Sequence, residues 1–579
     1  MSIPSRIAVL AVLLTSMTLI PAAAVALPTC VDLGTSPEYG LVGNPALTFV
    51  SATQVPATAT TPTHCEVLLT QSTPGLSGPA AGYAEGQSQS IRMRIVLPEK
   101  AAWNGKLMAS TGPGSQGQIN SSTGFLVGTN SGSTLPYAIQ LGYVGSMTDA
   151  GHVSGEEFAV IQSTRTLNVG KLTDWVVRAS TDTTRWAKAI ARTYYGAPVS
   201  RAYWNGCSGG GLQGMTQAQL NAAEYDGFLI GAPAIYWARW QLSRAWAPIV
   251  AKDLLTPYGK SLSAAQIDAA NRAAVAACDG IDGVIDGVLA DARACTFSAK
   301  ANICGVQGAP ASPNCLDAQQ ADAMDRIWDG PRNTKGARVW FPSDRGVNFS
   351  VTPPATIALF QWGHADLTFD WRTVTMETYA EEVELVTNTV SELIDTQDAE
   401  LEGARRRGAK IILLHGTADA TIFAGQSLDY YRRVAAAGGG TPDYAGLQSW
   451  FRFFLMPGLG HCYVGFGGLT TPGVGATDPF PALVNWVENG VAPDTILGSG
   501  SSVPGRTRPL CPYPKTAVYN GSGDINDARN HRCGGNLETK QAVCFQLRTK
   551  YQQETSNALD TFGRENPAAC NENSKVPMR

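Results

Sequence analysis

Residues 202–210 read Ala-Tyr-Trp-Asn-Gly-Cys-Ser-Gly-Gly, an apolar strand that runs directly into a glycine-rich turn around Ser208. The turn fits the pattern Gly-x-Ser-x-Gly, in which a sharp strand-to-helix turn exposes a serine hydroxyl. Glycines flank the serine because such a turn strains the backbone and crowds its neighbours. Glycine-rich stretches also produce this pattern by chance. Its position between a predicted strand and a helix predicted to begin at Gly209 supports a functional turn.

The strand and the helix around Ser208 belong to a longer alternation of these two kinds of element. Residues 90–97 alternate between apolar and polar side chains, which predicts a strand of a partly exposed sheet. Short apolar stretches predict further strands, and apolar residues at helical spacing predict helices. The predicted strands cover residues 106–109, 143–147, 202–205, 227–231 and 411–414, and the predicted helices cover residues 172–195 and 209–223. Strands that alternate with helices indicate an α/β domain built on a mostly parallel sheet.

Over residues 236–402 this alternation is lost. The stretch contains an aspartate-rich loop, two local pairs of cysteines and many tryptophans. We therefore predict an inserted lid domain at residues 236–402. It divides the α/β core into residues 27–235 and residues 403–579.

Two further loops carry the partners that a serine nucleophile requires. A serine at its ordinary pKa is a poor nucleophile and needs a neighbouring base, which is itself held by an acid. Asp419 lies at the exit of the predicted strand 411–414, and the apolar run 453–456 leads into a glycine-rich loop that ends on His461. The chain order is therefore Ser208, Asp419, His461, which is the order of an α/β-hydrolase.

Each of these residues also has a plainer interpretation. Asp419 could merely cap a helix. His415 precedes the turn that carries Asp419, so we interpret it as a buried structural group or a pocket wall rather than as the base. The other histidines lack a serine and an acid arranged around them in this way; they are His64, His152, His364 and His531.

The chain has 12 cysteines, an even set that fits a framework of disulfide bonds. Pairing cannot be deduced from sequence, but spacing favours some pairs over others. The favoured pairs are Cys278–Cys295, Cys304–Cys315 and Cys511–Cys533 in local loops, Cys30–Cys65 and Cys544–Cys570 at the two ends, and the remaining pair Cys207–Cys462. Bonded cysteines have Cα atoms about 5.5–6 Å apart, so the last pair would make Ser208 and His461 neighbours in space.

The amino-terminal residues have the three parts of a secretory signal. Arg6 supplies a positive charge, residues 7–20 are apolar, and small residues end at Ala26. We predict a signal peptide at residues 1–26 and a secreted protein, extracellular or periplasmic, without stable membrane association. A lipid-anchored or membrane-retained form is the alternative, although no cysteine follows the apolar run closely enough to suggest a lipid attachment point.

Charge and composition restrict the kinds of partner. The formal net charge is −4 with scattered Lys and Arg, and the cluster Arg405, Arg406 and Arg407 is most simply the solvated end of a helix. We therefore expect no nucleic-acid partner. The sequence does not indicate the oligomeric state.

The residues quoted above resemble one family. The stretch 206–210, Asp419 and the dipeptide His461-Cys462 look like the tannase and feruloyl esterase family, which includes hydrolases of a terephthalate monoester. The resemblance runs from Cys30 through Trp103-Asn104-Gly105 to residues 508–514 and 521–524. It implies an α/β-hydrolase fold with a large inserted lid and a serine esterase that hydrolyses esters of aromatic acids, namely hydroxycinnamoyl or galloyl esters.

An ester hydrolase of this kind needs backbone N–H groups that bind the oxyanion of the intermediate. Gly209 supplies one because it follows the nucleophile. The family resemblance points to Gly114 for the second donor, in preference to Gly112. Some members of the family carry a Glu or Thr side chain after the serine, so any pocket contact of that side chain is absent here.

The aspartate-rich loop of the lid suggests a metal ion. Carboxylates separated by three and four residues, with glycines between them, offer the hard oxygen ligands that Ca²⁺ prefers. The spacing is not that of an EF-hand, and a solvated acidic turn is the alternative. The resemblance favours a structural Ca²⁺ held by the carboxylates of Asp279, Asp282 and Asp286 and the carbonyls of Val284 and Val288.

Three other functions remain open on the sequence alone. The substrate could be a terephthalate monoester, although we align no lid arginine that would bind its free carboxylate. The chain could be a calcium-stabilised extracellular binding protein with an idle hydrolase site, which would not need all three of Ser208, Asp419 and His461. A serine peptidase of the same fold is the third. A lid tryptophan such as Trp362 could stack on a substrate ring, but such a residue more often belongs to the core.

Overall fold

The structure of the protein is a computed structural model that describes most of the chain. The described residues are 27–34, 47–72, 90–119, 134–153, 155–352, 354, 357–437, 441–463, 474–500, 503–538, 545–546 and 564–565. The predicted signal peptide and the predicted pair Cys544–Cys570 lie outside the described residues.

The described residues form 18 strands and 14 α-helices. The strands are β1 (Leu47–Val55), β2 (His64–Ser72), β3 (Ser90–Pro98), β4 (Lys106–Ala109), β5 (Val144–Thr148), β6 (Val160–Ile161), β7 (Thr166–Leu167), β8 (Arg201–Cys207), β9 (Gly227–Gly231), β10 (Lys410–Gly416), β11 (Phe451–Met456), β12 (Val474–Ala476), β13 (Ile496–Gly500), β14 (Thr507–Leu510), β15 (Thr516–Tyr519), β16 (His531–Gly534), β17 (Phe545–Gln546) and β18 (Arg564–Glu565). The helices are α1 (Thr134–Gln140), α2 (Val169–Thr173), α3 (Ala179–Tyr195), α4 (Gly209–Leu220), α5 (Trp237–Ser243), α6 (Trp246–Leu254), α7 (Ala264–Cys278), α8 (Ala318–Asp329), α9 (Ala358–His364), α10 (Tyr379–Ile394), α11 (Glu402–Arg407), α12 (Ala424–Ala435), α13 (Tyr444–Leu447) and α14 (Phe480–Asn489).

Nine strands form one mixed sheet in the order β1-β2-β3-β5-β4-β8-β9-β10-β11. Neighbouring strands pair in antiparallel fashion from β1 through β2 and β3 to β5. The remaining pairs are parallel, in the sheet order β5-β4-β8-β9-β10-β11. The parallel strands are short and almost wholly buried, as the apolar stretches predict. The α/β fold expected from the alternation of strands and helices is therefore confirmed.

The parallel half of the sheet brings three loops to one edge. Strands β8, β10 and β11 run in the same direction, so their carboxyl ends lie at the same edge of the sheet. The residues that follow these ends include Ser208, Asp419 and His461. Ligands of open α/β sheets bind at this edge.

The predicted lid segment lies between two strands that are neighbours in the sheet. Strands β9 and β10 pair directly, yet residues 232–409 connect them, and helices α5 to α11 lie within that connection. The buried tryptophans of this segment, Trp362 among them, belong to the same apolar cluster as residues of the sheet. Trp362 is therefore a core residue. The division of the chain into core and lid at residues 236–402 stays a prediction.

The helix predicted over residues 172–195 is longer than expected and irregular. Helices α2 and α3 are joined by a π-helical turn over Asp174–Arg178, and the Asn168 side chain caps the first turn by accepting from the Lys171 N–H at 3.3 Å. A π turn lets a side chain leave the regular helical register, and such turns are common near functional sites. No helix within the described part of the chain is both long and apolar enough to cross a bilayer.

Candidate active site

The backbone at Ser208 has the strained conformation that the glycine-rich turn predicts. Ser208 has φ 62° and ψ −121°, a left-handed region that a residue with a side chain rarely adopts. Two backbone hydrogen bonds hold it there, because its N–H donates to the carbonyl of Gly231 at 3.0 Å and its carbonyl accepts from Leu212 at 2.8 Å. The turn therefore fixes the serine between β8 and α4.

The structure brings together the three residues that the sequence singles out as a catalytic set. The Nε2 atom of His461 lies 2.9 Å from the Oγ atom of Ser208. Its Nδ1 atom lies 2.6 Å from the Oδ2 atom of Asp419. Ser208 and His461 are 6% and 5% exposed, and Asp419 is 1% exposed. A buried hydroxyl, imidazole and carboxylate in this order can pass a proton from the serine to the histidine.

Asp419 is held both by its own turn and by the imidazole. Its Oδ1 atom accepts hydrogen bonds from the N–H groups of Thr421 and Ile422, both at 2.8 Å. Burial by itself raises the pKa of the Asp419 carboxyl, but the electrostatic attraction of His461 and hydrogen bonds from His415 and His461 together hold that pKa well below its usual range. The carboxylate is therefore ionised. Asp419 does not cap a helix, because α12 begins at Ala424; one of its oxygens holds its own turn, and the other contacts His461.

His415 is buried, as the sequence predicts, but its contact with the Asp419 carboxylate is not predicted. It is fully buried, and its Nε2 atom lies 2.8 Å from the carbonyl oxygen of Ile422 and 3.3 Å from Oδ2 of Asp419. A carbonyl only accepts, so Nε2 carries the proton and Nδ1 accepts from the hydroxyl of Ser427 at 2.8 Å. His415 thus orients the Asp419 carboxylate and does not face Ser208. Its spacing of four residues from Asp419 is the signal that could have revealed this contact.

The loops that carry Asp419 and His461 are packed directly against each other. A methyl group at Gly416 would lie 2.3 Å from the carbonyl oxygen of Leu459, so only glycine fits at this position. Two hydrogen bonds join the loops: Ala418 donates to Leu459 at 2.9 Å, and Gly458 donates to the Thr417 hydroxyl at 2.8 Å. The close approach fixes the separation of the acid and the base.

A disulfide bond joins the residue before Ser208 to the residue after His461. Cys207 and Cys462 are bonded, with Cα atoms 6.0 Å apart. The other favoured pairs within the described residues are bonded as well, namely Cys30–Cys65, Cys278–Cys295, Cys304–Cys315 and Cys511–Cys533. The strand end β8 and the histidine loop are therefore covalently connected at the site.

The two predicted oxyanion donors lie on touching stretches of backbone. A methyl group added at Gly209 would lie 2.1 Å from the carbonyl oxygen and 2.9 Å from the nitrogen of Gly114. Gly114 itself has φ +58°, and no atom lies within 4 Å of where its own Cβ would be. The backbone of Gly114 thus occupies the space that a side chain at position 209 would need. This explains in physical terms why the residue after the serine is glycine in this chain.

The aspartate-rich loop folds around its own backbone. Asp279 accepts from the N–H of Gly287 at 2.8 Å and from that of Val288 at 3.2 Å, and Asp286 accepts from Val288 at 3.1 Å. Asp286 also forms an ion pair with Arg508, which lies in β14. Within the residues described, no group of three or more His, Cys, Asp and Glu side chains is gathered as a ready metal site.

Several of the predicted ligands nevertheless share one cavity. Asp282, Val284, Asp286 and Val288 all line it. Burial raises the pKa of the Asp282 carboxyl, and the negative charges of Asp286 and Asp279 raise it further. The hydrogen bonds that Asp282 accepts from backbone N–H groups lower the pKa, but the net shift is upward. Arg506, Arg508 and Lys515 line the same cavity, so cationic side chains already lie beside these carboxylates.

Comparisons with known proteins identify the family of this chain. The sequence profile described as "Tannase and feruloyl esterase" matches residues 80–344 and 356–534. The mono(2-hydroxyethyl) terephthalate hydrolase of Piscinibacter sakaiensis is 30% identical over 547 residues, which cover 83% of this chain and 86% of that protein. A probable feruloyl esterase of Arthroderma benhamiae is 30% identical over 480 residues, which cover 77% and 83% of the two chains.

A solved structure gives the same result for the fold. The tannin acyl hydrolase from Aspergillus niger superposes with a TM-score of 0.72 at 22% identity, over 89% of this chain and 97% of that chain. This likeness shows the α/β-hydrolase fold. From the family profile and the relatives, the chain belongs to the tannase and feruloyl esterase family and is a carboxylic ester hydrolase of that type.

Proposed function

We propose that the protein is an exported serine esterase that hydrolyses hydroxycinnamoyl or galloyl esters through Ser208, His461 and Asp419. The single observation that carries the catalytic part is the pair of short contacts of His461, 2.9 Å to the Ser208 hydroxyl and 2.6 Å to the Asp419 carboxylate. Export is supported by the signal-like residues 1–26 and by five disulfide bonds in the described residues. Amino-terminal sequencing of the protein recovered outside the cytoplasm tests the export.

The mechanism follows from the direction of these contacts. The Ser208 oxygen attacks the ester carbonyl carbon while Nε2 of His461 takes the hydroxyl proton. The Asp419 carboxylate accepts the Nδ1–H and stabilises the imidazolium that forms. His461 then passes its proton to the leaving alcohol as the C–O bond breaks. Water, deprotonated by the same imidazole, attacks the carbonyl carbon of the acyl-serine, and His461 returns that proton to the Ser208 oxygen as the bond to the acid breaks.

The tetrahedral intermediate needs donors for its negative oxygen. The proposed donors are the N–H groups of Gly209, at the start of α4, and of Gly114, whose backbone lies against it. Backbone donors of this kind are fixed before the reaction and need no reorganisation when charge develops. The positive end of α4 lies on the same side of the serine and favours the developing charge.

The names of the relatives support an aromatic acyl group without selecting one. One relative is named as a probable feruloyl esterase and another as a mono(2-hydroxyethyl) terephthalate hydrolase. The second name makes a terephthalate monoester the second candidate substrate, because that protein is 30% identical over 83% of this chain. Hydroxycinnamoyl and galloyl esters remain our first choice, since we identify no lid arginine for a free carboxylate.

We expect a panel of esters to separate these candidates. The purified enzyme is incubated with methyl ferulate, methyl gallate, chlorogenate, mono(2-hydroxyethyl) terephthalate and p-nitrophenyl acetate, and initial rates are measured. The expected result is a kcat/KM for at least one hydroxycinnamoyl or galloyl ester that exceeds that of the terephthalate monoester by 10-fold or more, or about 1.4 kcal/mol in transition-state binding. The reason is that the resemblance leads us to expect a carboxylate-binding lid arginine in a terephthalate monoester hydrolase, and we align no such arginine in this sequence.

Other outcomes would change the proposal in defined ways. Preference for the terephthalate monoester would reverse the order of the two candidates. Hydrolysis of a peptide at a rate above that of every ester would favour a peptidase. The absence of turnover of all five esters, in folded protein, would favour a binding protein with an idle site.

We also propose that the aspartate-rich loop binds Ca²⁺. The donor set fits, because carboxylate and carbonyl oxygens are the ligands that Ca²⁺ prefers and because Asp282, Val284, Asp286 and Val288 face one cavity. The carboxylate of Asp279, which now accepts backbone N–H groups, would complete the set. Such an ion would supply structural stability to the loop. Arg508 competes for Asp286, so we expect the ion to displace that ion pair.

Calcium should therefore stabilise the folded protein. A ligand that binds only the folded state at 100 times its Kd adds about 2.7 kcal/mol to the free energy of unfolding. We expect EDTA to lower the Tm by several degrees, Ca²⁺ to restore it, and Asp282→Asn to remove most of this difference. The control is Asp322→Asn, since Asp322 is a partly exposed residue on α8 outside the loop. A Tm that is identical in EDTA and in Ca²⁺ would rule out the calcium proposal.

A further inference from the structure

The loop that carries Gly114 is held by the turn that follows β5. Gly117 donates its N–H to the carbonyl of Asp149 at 3.2 Å, and the side-chain amide of Gln116 donates to the carbonyl of Thr148. The Nε2 atom of His152 lies 2.8 Å from the carbonyl oxygen of Ser115. The His152 contact is the nearest of the three to Gly114, because Ser115 is its neighbour in the chain.

The ring of His152 is confined on every side. It is 5% exposed and stacks on the ring of Phe158, with centroids 3.9 Å apart and planes inclined by 18°. Phe158 in turn packs edge-on against Trp175 and Trp362. The second nitrogen of His152, Nδ1, lies 2.5 Å from the carbonyl oxygen of Val153. The ring therefore cannot leave Ser115 without breaking this aromatic packing.

The turn that carries His152 is itself anchored to the core. The carboxylate of Asp149 accepts from the Nε of Arg92 at 2.7 Å and from the N–H of Gly151 at 2.8 Å. The ammonium of Lys171, next to the π turn, donates to the carbonyl of Gly151 at 2.5 Å. Ala150 has φ 62°, so the turn is strained and held by these contacts. A rigid turn can transmit its position to whatever His152 binds.

We propose that His152 is a positioning residue that holds the Gly114 N–H in place for the oxyanion. Both of its ring nitrogens face carbonyl oxygens and a neutral imidazole donates through only one of them, so the proposal places that proton on Nε2, toward the Ser115 carbonyl. The inference rests on the proposed function of Gly114. Gly209 is fixed at the start of α4, whereas Gly114 lies in the loop between β4 and α1, and the contacts of residues 115–117 with the turn after β5 hold that loop. Displacement of a catalytic group by about 1 Å can lower a rate by about 100-fold.

The experiment uses three replacements of His152 and an active-site ligand. His152→Ala removes the donor, His152→Gln keeps an N–H near the position of Nε2, and His152→Asn keeps one near the position of Nδ1, toward Val153. We expect His152→Ala to lower kcat by about 10- to 100-fold with little change in KM, because only the transition state carries the oxyanion. His152→Gln should recover most of the loss and His152→Asn should not.

A tetrahedral adduct gives an independent measure of the oxyanion site. An aryl boronic acid bonds to the serine oxygen and places a boron oxygen where the oxyanion forms, whereas the product acid does not. In His152→Ala the inhibition constant of the boronic acid should rise by a factor similar to the fall in kcat, and that of the product acid should be unchanged. A merely structural role of His152 would not separate the two ligands.

His64→Ala is the matched control. His64 is also buried, at 6% exposure, and its Nδ1 lies 2.8 Å from a carbonyl oxygen, that of Pro62. It lies in β2, which β3 and β5 separate from β4, the strand before Gly114, so His64→Ala removes a buried histidine of the same kind away from the oxyanion loop. We expect it to lower the Tm without the selective loss of boronic acid affinity.

Unchanged kcat in His152→Ala, equal weakening of both ligands, or recovery by Asn rather than Gln would each overturn the proposal. Ser208→Ala is measured in parallel: if that variant stays active, the proposed function fails, and if it is inactive while His152→Ala is fully active, only the role of His152 fails.

Discussion

Replacing Ser208 by alanine is expected to lower kcat for an activated ester by about 10⁶-fold, close to the loss measured when a serine nucleophile is removed from a comparable triad. The reason is geometric, since the Ser208 hydroxyl is the group that His461 contacts at 2.9 Å from within a buried site. His461→Ala should cost about as much. The double variant should lose no more than either single one, because the two residues act as one unit.

Asp419→Asn should have a smaller but still large effect. An amide at this position keeps the shape of the side chain, but its NH₂ group donates where the carboxylate accepts. It therefore favours the wrong tautomer of His461, and we expect kcat to fall by about 10⁴-fold. The oxygens of Asp419 also bind Thr421, Ile422 and His415, so the folded state will lose stability as well. Rates are therefore measured well below the Tm of the variant.

The control for these variants is Ser343→Ala, because Ser343 is a serine of the lid segment that is only 3% exposed. It should keep the wild-type kcat/KM for p-nitrophenyl acetate. Retention of more than about 1% of the activity in Ser208→Ala would contradict the mechanism, since removal of a nucleophile leaves far less than that.

The sequence predicts that Ser208, Asp419 and His461 lie close together because two signals agree. Ser208 and His461 are 253 positions apart, yet each follows a buried strand, and parallel strands present their carboxyl ends at one edge. The two flanking cysteines gave a second reason to place them together. Strands β4 and β9 were predicted with their observed bounds, because short apolar runs between turns are a strong signal.

Other features depend on contacts that no local pattern encodes. Strands β1 and β2 at the antiparallel edge of the sheet were not predicted, since edge strands carry many polar residues and take their pairing from distant partners. The contact of Gly114 with Gly209 brings a loop against the start of α4, which lies far from it in the chain. The contact of His152 with Ser115 likewise depends on how the turn after β5 packs on its neighbour. Only the folded backbone reveals these pairs.

Removal of the Cys207–Cys462 bond is expected to have the largest effect on stability. The bond closes a loop between residues 255 positions apart, for which the chain-entropy relation gives about 5–6 kcal/mol of the free energy of unfolding. Both cysteines are replaced by alanine, so that no unpaired thiol remains to exchange with other bonds. We also expect kcat to fall by about 10- to 100-fold, because His461 loses the tether that limits its distance from Ser208.

The matched variant removes Cys304 and Cys315 in the same way. That bond joins residues 11 positions apart in the lid segment, so the same relation gives only about 3 kcal/mol and no effect on kcat. Denaturant unfolding under non-reducing conditions gives the two free energies, and ester hydrolysis below both transitions gives the two values of kcat. If both double variants lose equal stability and keep kcat, the bond at the site is a structural crosslink like the others. A fall in kcat in the variant without Cys207 and Cys462, and not in the other, would mean that this disulfide bond maintains the distance between the Ser208 hydroxyl and Nε2 of His461.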